Sequence, residues 1–320
     1  MTGATSDHAP RPEIIAADAA GIAQAAALLR DGGLVAVPTE TVYGLAARAD
    51  RDASVAAIYR AKGRPSFNPL IVHVVDVESA GAIAVLDERA ERLAAAFWPG
   101  ALTMVLPLRP GANIAAAVTA GLSTVALRCP AHPVMRDLIA ACGLPLAAPS
   151  ANRSGGVSPT RAAHVVASLG EGVDAVIDGG ACEAGLESTI IALREGGSWQ
   201  VLRPGPIPAS AIEAVLGQPD DPVVSTQIEA PGQLASHYAP GKPVRLEAQS
   251  AEPGEFHIGF GPIAGDVTLS ATGDLVEAAA RLYALLHQAA AAPQPRIAIA
   301  PIPEEAVGAA INDRLRRAAA

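Results

Sequence analysis

The stretch from Pro38 to His73, PTETVYGLAARADRDASVAAIYRAKGRPSFNPLIVH, decides how the chain is read. It follows an apolar run, Leu34 to Val37, with the length and composition of a buried strand. It opens on a hydroxyl-rich turn, Thr39-Glu40-Thr41. A helical segment over 52–61 comes next, with Asp52 placed to cap it. Lys62, Arg64, Asn68 and His73 then fall within twelve positions. A turn of hydroxyls after a strand, followed by a cationic loop after a helix, is one way to hold a phosphorylated ligand.

Rare residue types gather here. The chain has 21 Arg but only two Lys, Lys62 and Lys242, and two of its four Tyr, Tyr43 and Tyr59, lie in this stretch. Arg is a planar fork and Lys a compact point charge, so a Lys kept at 62 is not interchangeable with Arg. A solvated KGR loop after a helix is the plainer reading, and the surrounding polar residues weigh against it.

Working outward, helix and strand signals alternate. Asp18 precedes an Ala/Leu-rich helix that ends at Gly32-Gly33. Leu70 to Val75, Leu102 to Leu108 and Thr124 to Arg128 read as strands. Asp87 is placed to cap a helix ending before Trp98, and Pro133 to Ala141 is a helix with Pro in its first turn. In Leu144 to Thr160, LPLAAPSANRSGGVSPT, a strand opens into a loop with Ser150, Asn152, Ser154 and Ser158, ahead of a helix over 161–169. Small residues there let backbone amides approach a ligand. Asp174 to Asp178, Ser188 to Leu193 and Trp199 to Leu202 are further strands, and a helix over 208–216 closes the unit.

Residues 217–243 are rich in Pro, Gly and polar residues without periodicity, which marks a linker. It carries His237-Tyr238 between small residues, a pair that a plain tether would avoid. A second α/β unit follows, with strands near Val244–Leu246, Phe256–Phe260, Val267–Leu269 and Arg296–Ala300 and helices near 274–291 and 304–318. The division expected is 13–216, 217–243 and 244–320.

Composition narrows the function. A net charge of −9 offers no global field for nucleic acid. Cys129, Cys142 and Cys182 are too far apart for a metal knuckle, and their odd number argues against a disulfide scaffold. No apolar run is long enough for a membrane span and the N-terminus has no signal pattern, so the expected location is the cytoplasm. There is no GxxxxGK[ST] loop and no GxSxG elbow. Gly259 to Gly265 misses the dinucleotide fingerprint by one position. His73 by itself reads as a half-buried strand residue.

The motifs GGLVAVPTETVYGLAA (32–47), KGRPSFNPLIVHV (62–74), STVALRCP (123–130), APSANRSGGVSPT (148–160), LESTII (186–191), VLRPG (201–205) and SHYAP (236–240) together resemble the YrdC/YciO/Sua family of L-threonylcarbamoyladenylate synthases, in its longer two-domain branch. The resemblance implies an open, twisted α/β sheet with helices, followed by a linker and a small Rossmann-like α/β unit. It implies formation of threonylcarbamoyl-AMP and pyrophosphate from L-threonine, bicarbonate or CO2, and ATP. Separate proteins would then transfer the threonylcarbamoyl group to tRNA beside the anticodon.

By the family's pattern, Thr41, His73, Arg128 and Ser188, with backbone at Ala148, would hold threonine. Lys62 and Arg64 would meet the phosphates or the carbonate. Asn68, Thr124, Ser150, Ser158 and Arg203 would complete the ATP site, and Tyr238 would fold back over the nucleotide as part of a lid. Magnesium is expected with ATP, held through the phosphates, with no protein metal cage and no organic cofactor. A double-stranded-RNA or tRNA-binding module without turnover is the alternative, and the net charge argues against it. A carbamoyl-transfer domain of the hydrogenase-maturation type shares the fold but belongs to a larger chain. Only a weak tRNA contact is expected, and no membrane partner.

Overall fold

The computed structural model describes residues 12–218, 228–234 and 236–320. Part of the expected linker, 219–227 and 235, lies outside these.

The larger sheet is built from β1 (Glu13–Ala16), β2 (Val35–Val37), β3 (Gly44–Arg48), β4 (Ile71–His73), β5 (Leu102–Pro107), β6 (Thr124–Arg128), β7 (Leu146–Ala147), β8 (Ala175–Asp178), β9 (Thr189–Leu193) and β10 (Trp199–Arg203). Their order is β1-β8-β2-β3-β7-β4-β6-β5-β9-β10. Pairing is mixed: β4 runs parallel to β6 and β5 to β9, whereas β3, β7 and β10 pair antiparallel.

Burial on both faces explains why β2 reads as a continuous apolar run. Val35 and Val37 pack with Leu29 of α1 (Ala19–Asp31) and Leu138 of α6 (Pro133–Cys142). Ala36 faces the other way, into a core with Ile58 of α2 (Asp52–Lys62), Leu93 of α4 (Glu88–Phe97), Val165 of α7 (Ala162–Leu169) and Ile212 of α8 (Ala209–Leu216). Two short helices, α3 (Val77–Ile83) and α5 (Ala116–Thr119), complete this unit.

Further along the sheet one face changes character. Ile71, Val105, Ala126, Ile190, Ala192 and Leu202 form a small cluster with Ala230 from the connecting segment. A cavity reaches this face at Ile71.

The caps at Asp18 and Asp87 form as the sequence predicts, each side chain accepting from a first-turn amide, Gly21 N and Ala90 N. The expected cap at Asp52 does not form. Arg51 occupies the N-cap position without a side-chain bond, and Asp52 is the first helical residue, where its charge still suits the helix N-terminus. β1, β3, α3 and α5 were not read from the sequence.

The smaller sheet is parallel throughout, in the order β11 (Val244–Arg245), β14 (Arg296–Ile299), β12 (Glu255–Gly259), β13 (Val267–Thr268). Two helices flank it, α9 (Leu275–Ala291) and α10 (Gly308–Ala318). Its core does not stop at its own residues. Val42, Val157 and Leu186 from the larger unit and Tyr238 from the connecting segment share it with Ile258, Leu282 and Ile311. The expected open α/β sheet followed by a smaller α/β unit is the architecture observed.

Candidate active site

A cavity lies on the open face of the larger sheet, beneath the connecting segment. Thr41, Arg64, His73, Arg128, Ala148, Ser150, Ser188, Arg203 and Tyr238 line it, all of them expected from the sequence. Parallel pairing of β4 and β6 sets His73 level with Arg128 at their carboxyl ends, the end where α/β sheets generally bind ligands. Thr41 comes from the turn after β2, Ser150 from the loop after β7, Ser188 from just before β9 and Arg203 from the end of β10.

Arg128 is buried. Its Nη1 donates to Thr41 Oγ1 at 2.9 Å and its Nε to Gly100 O at 3.1 Å. Nη2 stands 2.6 Å from Glu40 Oε1 as an ion pair. The pair falls outside hydrogen-bond alignment, but at this distance each charge is the other's partner. Burial pushes the Glu40 carboxyl up, but the Arg128 charge beside it overrides this and holds it at about 2. Burial and the neighbouring Arg128 charge push His73 down to about 3, so its ring is neutral and its Nδ1 has no partner. A guanidinium beside a neutral imidazole and a hydroxyl suits an amino acid's carboxylate and side-chain oxygen.

A second cationic group closes the other side. Arg203 donates from Nε and Nη2 to Ser188 O, at 3.1 and 3.0 Å, and from Nη2 to Ser188 Oγ at 3.1 Å. Ser188 Oγ also bonds Thr103 Oγ1 at 2.7 Å. Arg64 is braced by Asn68 and Pro69 oxygens, and burial lowers it only to about 10, which leaves it charged at neutral pH.

The remaining expected residues stand behind the wall. Lys62 was expected at the phosphates. Instead its Nζ donates to Ser150 O at 2.6 Å and Asn152 O at 2.5 Å, tying the end of α2 to the loop that carries Ser150. Burial and nearby Arg64 lower its pKa well below the usual lysine value. Asn68 spends its side-chain oxygen on Arg64. Ser158 donates to Glu187 Oε1. Thr124 starts β6 and Arg128 ends it, about 13 Å apart at strand rise, so Thr124 is not in the cavity wall.

The sequence reading missed Glu187, Pro231 and Gly232 in the lining and did not assign His237 to it. Nothing marks Glu187 out, because a glutamate before a strand is usually a solvated residue. His237 had a signal, its place beside Tyr238. Tyr238 is fully buried at φ 64°, a backbone state costly for a bulky residue and typical of functional sites. Ala239 N bonds Gly155 O at 2.8 Å, so the connecting segment is stitched to the Ser-rich loop. Burial pushes His237 down to about 3. His237 Nδ1 and Tyr238 OH, like His73 Nδ1 and Arg128 Nη2, have no hydrogen-bond partner. Four such buried atoms in the residues lining one cavity mark a place for a polar ligand.

Fold and site together give an α/β protein whose cavity sets fixed guanidinium groups beside a neutral imidazole and hydroxyls, a setting suited to a small anionic ligand. Comparison with known proteins makes this specific. The Sua5_yciO_yrdC model, described as telomere recombination, matches residues 27–205, and the C-terminal domain model of threonylcarbamoyl-AMP synthase matches residues 207–320. The chain belongs to the Sua5/YciO/YrdC family, in the branch that carries this C-terminal domain. It is 40% identical over 320 residues to the threonylcarbamoyl-AMP synthase of Pyrococcus abyssi, with 92% of each chain covered. It is 48% identical over 236 residues to that of Bacillus subtilis, covering 72% of this chain and 68% of the relative. The crystal structure of P. abyssi Sua5 complexed with L-threonine superposes with a TM-score of 0.87 at 36% identity, covering 96% of this chain and 97% of that one.

Proposed function

We propose that the chain makes threonylcarbamoyl-AMP and pyrophosphate from L-threonine, bicarbonate or CO2, and ATP. The observation that carries this reading is the shared cavity. Thr41, His73, Arg128 and Ser188 stand on one side and Arg64, Arg203 and Tyr238 on the other.

Arg128, at the cavity wall, takes the threonine carboxylate. Neutral His73 and the Ser188 hydroxyl meet the threonine hydroxyl, and backbone at Ala148 lines the amino acid. The threonine amine attacks CO2 and loses a proton, giving a carbamate. A carbamate oxygen then attacks the α-phosphorus of ATP, and the bond to the β-phosphate oxygen breaks to release pyrophosphate. Negative charge builds on phosphoryl oxygens, so fixed cations are the main aid. Arg64 and Arg203 supply them, with Ser150 and the Tyr238 hydroxyl beside the nucleotide. Lys62 acts from behind, setting the Ser150 loop, and Asn68 and Ser158 brace Arg64 and Glu187. Thr124, at the start of β6 and outside the cavity wall, makes at most a marginal contact with the nucleotide.

Magnesium fits this arrangement as a companion of the ATP phosphates. Among the described residues no group of three or more His, Cys, Asp or Glu could hold a metal ion, and both oxygens of the lining carboxylate, Glu187, are already engaged. When bound, the ion would neutralise phosphate charge. The unit boundaries we favour are 13–216 for catalysis, 217–243 for a linker that covers the nucleotide and excludes water from a labile mixed anhydride, and 244–320 for the smaller unit. The product passes to separate tRNA-modifying proteins in the cytoplasm. Recognition of duplex RNA is disfavoured, because the site's arginines are buried where a duplex cannot reach.

The test is pyrophosphate release from ATP and bicarbonate. It should require threonine and fall at least about tenfold with valine, which leaves the hydroxyl-binding groups unpaired. Equal release with valine would overturn the threonine assignment.

A further inference from the structure

We infer that Tyr283 and Arg314, on the two helices of the smaller unit, are positioning residues of the active site: they hold the Glu187 carboxylate engaged and turned from the phosphates, and through it keep Ser158 and Ser188 in place. The inference rests on the assignment of the ligand cavity given above.

Glu187 immediately precedes Ser188, lines the cavity and is nearly fully buried. A bare carboxylate there would repel phosphate. It is not bare. Tyr283 OH from α9 donates to Oε2 at 2.8 Å, Arg314 Nε from α10 donates to Oε2 at 2.8 Å, and Ser158 OH takes Oε1. Arg314 is 0% exposed, and its other two nitrogens each hold a protein oxygen, Nη1 on Asp313 at 2.6 Å and Nη2 on Pro204 O at 2.9 Å. The same guanidinium lies 5.2 Å from the centre of the Tyr238 ring, which also stacks on Tyr283 at 5.7 Å. Two residues of the smaller unit therefore touch both Glu187 and the residue that covers the site.

The backbone confirms that this loop is shaped to the smaller unit. Gly185 sits at φ 68°, and a Cβ on it would lie 2.4 Å from Ala279 O of α9. Leu186 is in the smaller unit's core. On the other side, a Cβ on Gly205 would lie 2.4 Å from Thr189 N and 2.7 Å from Glu187 O. The segment 185–189 is thus pressed between α9 and the chain leaving β10, and Ser188 follows its placement.

Three variants of the full chain test this by steady-state pyrophosphate release with ATP and threonine varied separately, alongside thermal unfolding. Arg314→Met keeps bulk and removes the charge, and should raise the KM for ATP by about 10–100-fold, the range for losing a hydrogen bond to a charged group. The double variant Glu187→Gln/Arg314→Met removes the repelling carboxylate and should recover most of that loss. Tyr283→Phe keeps the ring in the core and should raise the same KM by a smaller factor, about tenfold. It also keeps the question answerable if Arg314→Met does not fold. If Tyr283→Phe and Arg314→Met lower only the unfolding temperature and leave both KM values and kcat at wild-type levels, the proposal is overturned. Arg128→Ala is run in parallel. If it too is fully active, the cavity assignment itself has failed. Loss there beside wild-type kinetics in the other variants overturns the positioning role alone.

Discussion

Arg128 and Arg314 are both buried, and each stands against a glutamate, 2.6 Å from Glu40 and 2.8 Å from Glu187. The two regions use the same pair in different ways. Arg128 lies within the larger unit, at the end of β6, and one of its terminal nitrogens is left without a hydrogen bond. Arg314 lies in the smaller unit and spends Nε, Nη1 and Nη2 on protein oxygens. Arg128 lines the cavity, so its guanidinium can meet a ligand as well as Glu40. Arg314 is absent from the cavity lining and braces Glu187 from behind it. Burial and charge alone would not have told them apart.

The largest effect should come from breaking the one that lines the cavity. Arg128→Ala removes the proposed carboxylate partner and should lower kcat/KM for threonine by about 10²–10³, as loss of a charged donor at a reacting centre does. A fall below threefold in a steady-state assay would move the amino acid elsewhere.

An intermediate effect sharpens the contrast through pH. Glu40 and Glu187 are pushed up by burial but held near 2 by their arginines. Each contributes stability present above the unfolded value, 4.5, and lost as pH falls toward about 2. His73 and His237 are pushed down to about 3 by burial, so they add stability present above 6.5 and lost on the way to about 3. Urea unfolding should therefore show stability declining below pH about 6.5 and more steeply below about 4.5. Glu187→Gln and Glu40→Gln should each flatten the lower limb. A wild-type curve level from pH about 7 to about 4 would contradict the buried, paired state of these groups.

The smallest effect is expected at Thr124, because it lies outside the cavity wall. Thr124→Val should change KM for ATP by no more than about threefold, the scale of one exposed neutral hydrogen bond. A tenfold rise would show that the nucleotide reaches along β6 as far as its first residue.

Local signals in the chain made much of this legible. Asp18 and Gly32 bracket α1, the apolar run before Pro38 is β2, and the hydroxyl and cationic motifs fall where the cavity wall is. The rest depends on partners distant in sequence. β3 reads GLAAR, small residues without alternation, and becomes a strand only because β2 and β7 flank it. Lys62 looked like a free cation because the carbonyls that take it, Ser150 and Asn152, lie about ninety residues away. Glu187 was silent for the same reason, since its partners Tyr283 and Arg314 come from the far end of the chain. Residue types in a motif indicate which chemistry is possible, whereas which groups line the cavity is decided by tertiary contacts.

The most direct measurement is a crystal structure with L-threonine and a non-hydrolysable ATP analogue bound together. The account predicts the threonine carboxylate on Arg128, its hydroxyl within hydrogen-bond distance of His73 and Ser188, the phosphates against Arg64 and Arg203, and Tyr238 over the nucleotide. Threonine bound away from Arg128, or phosphates held outside this cavity, would contradict it.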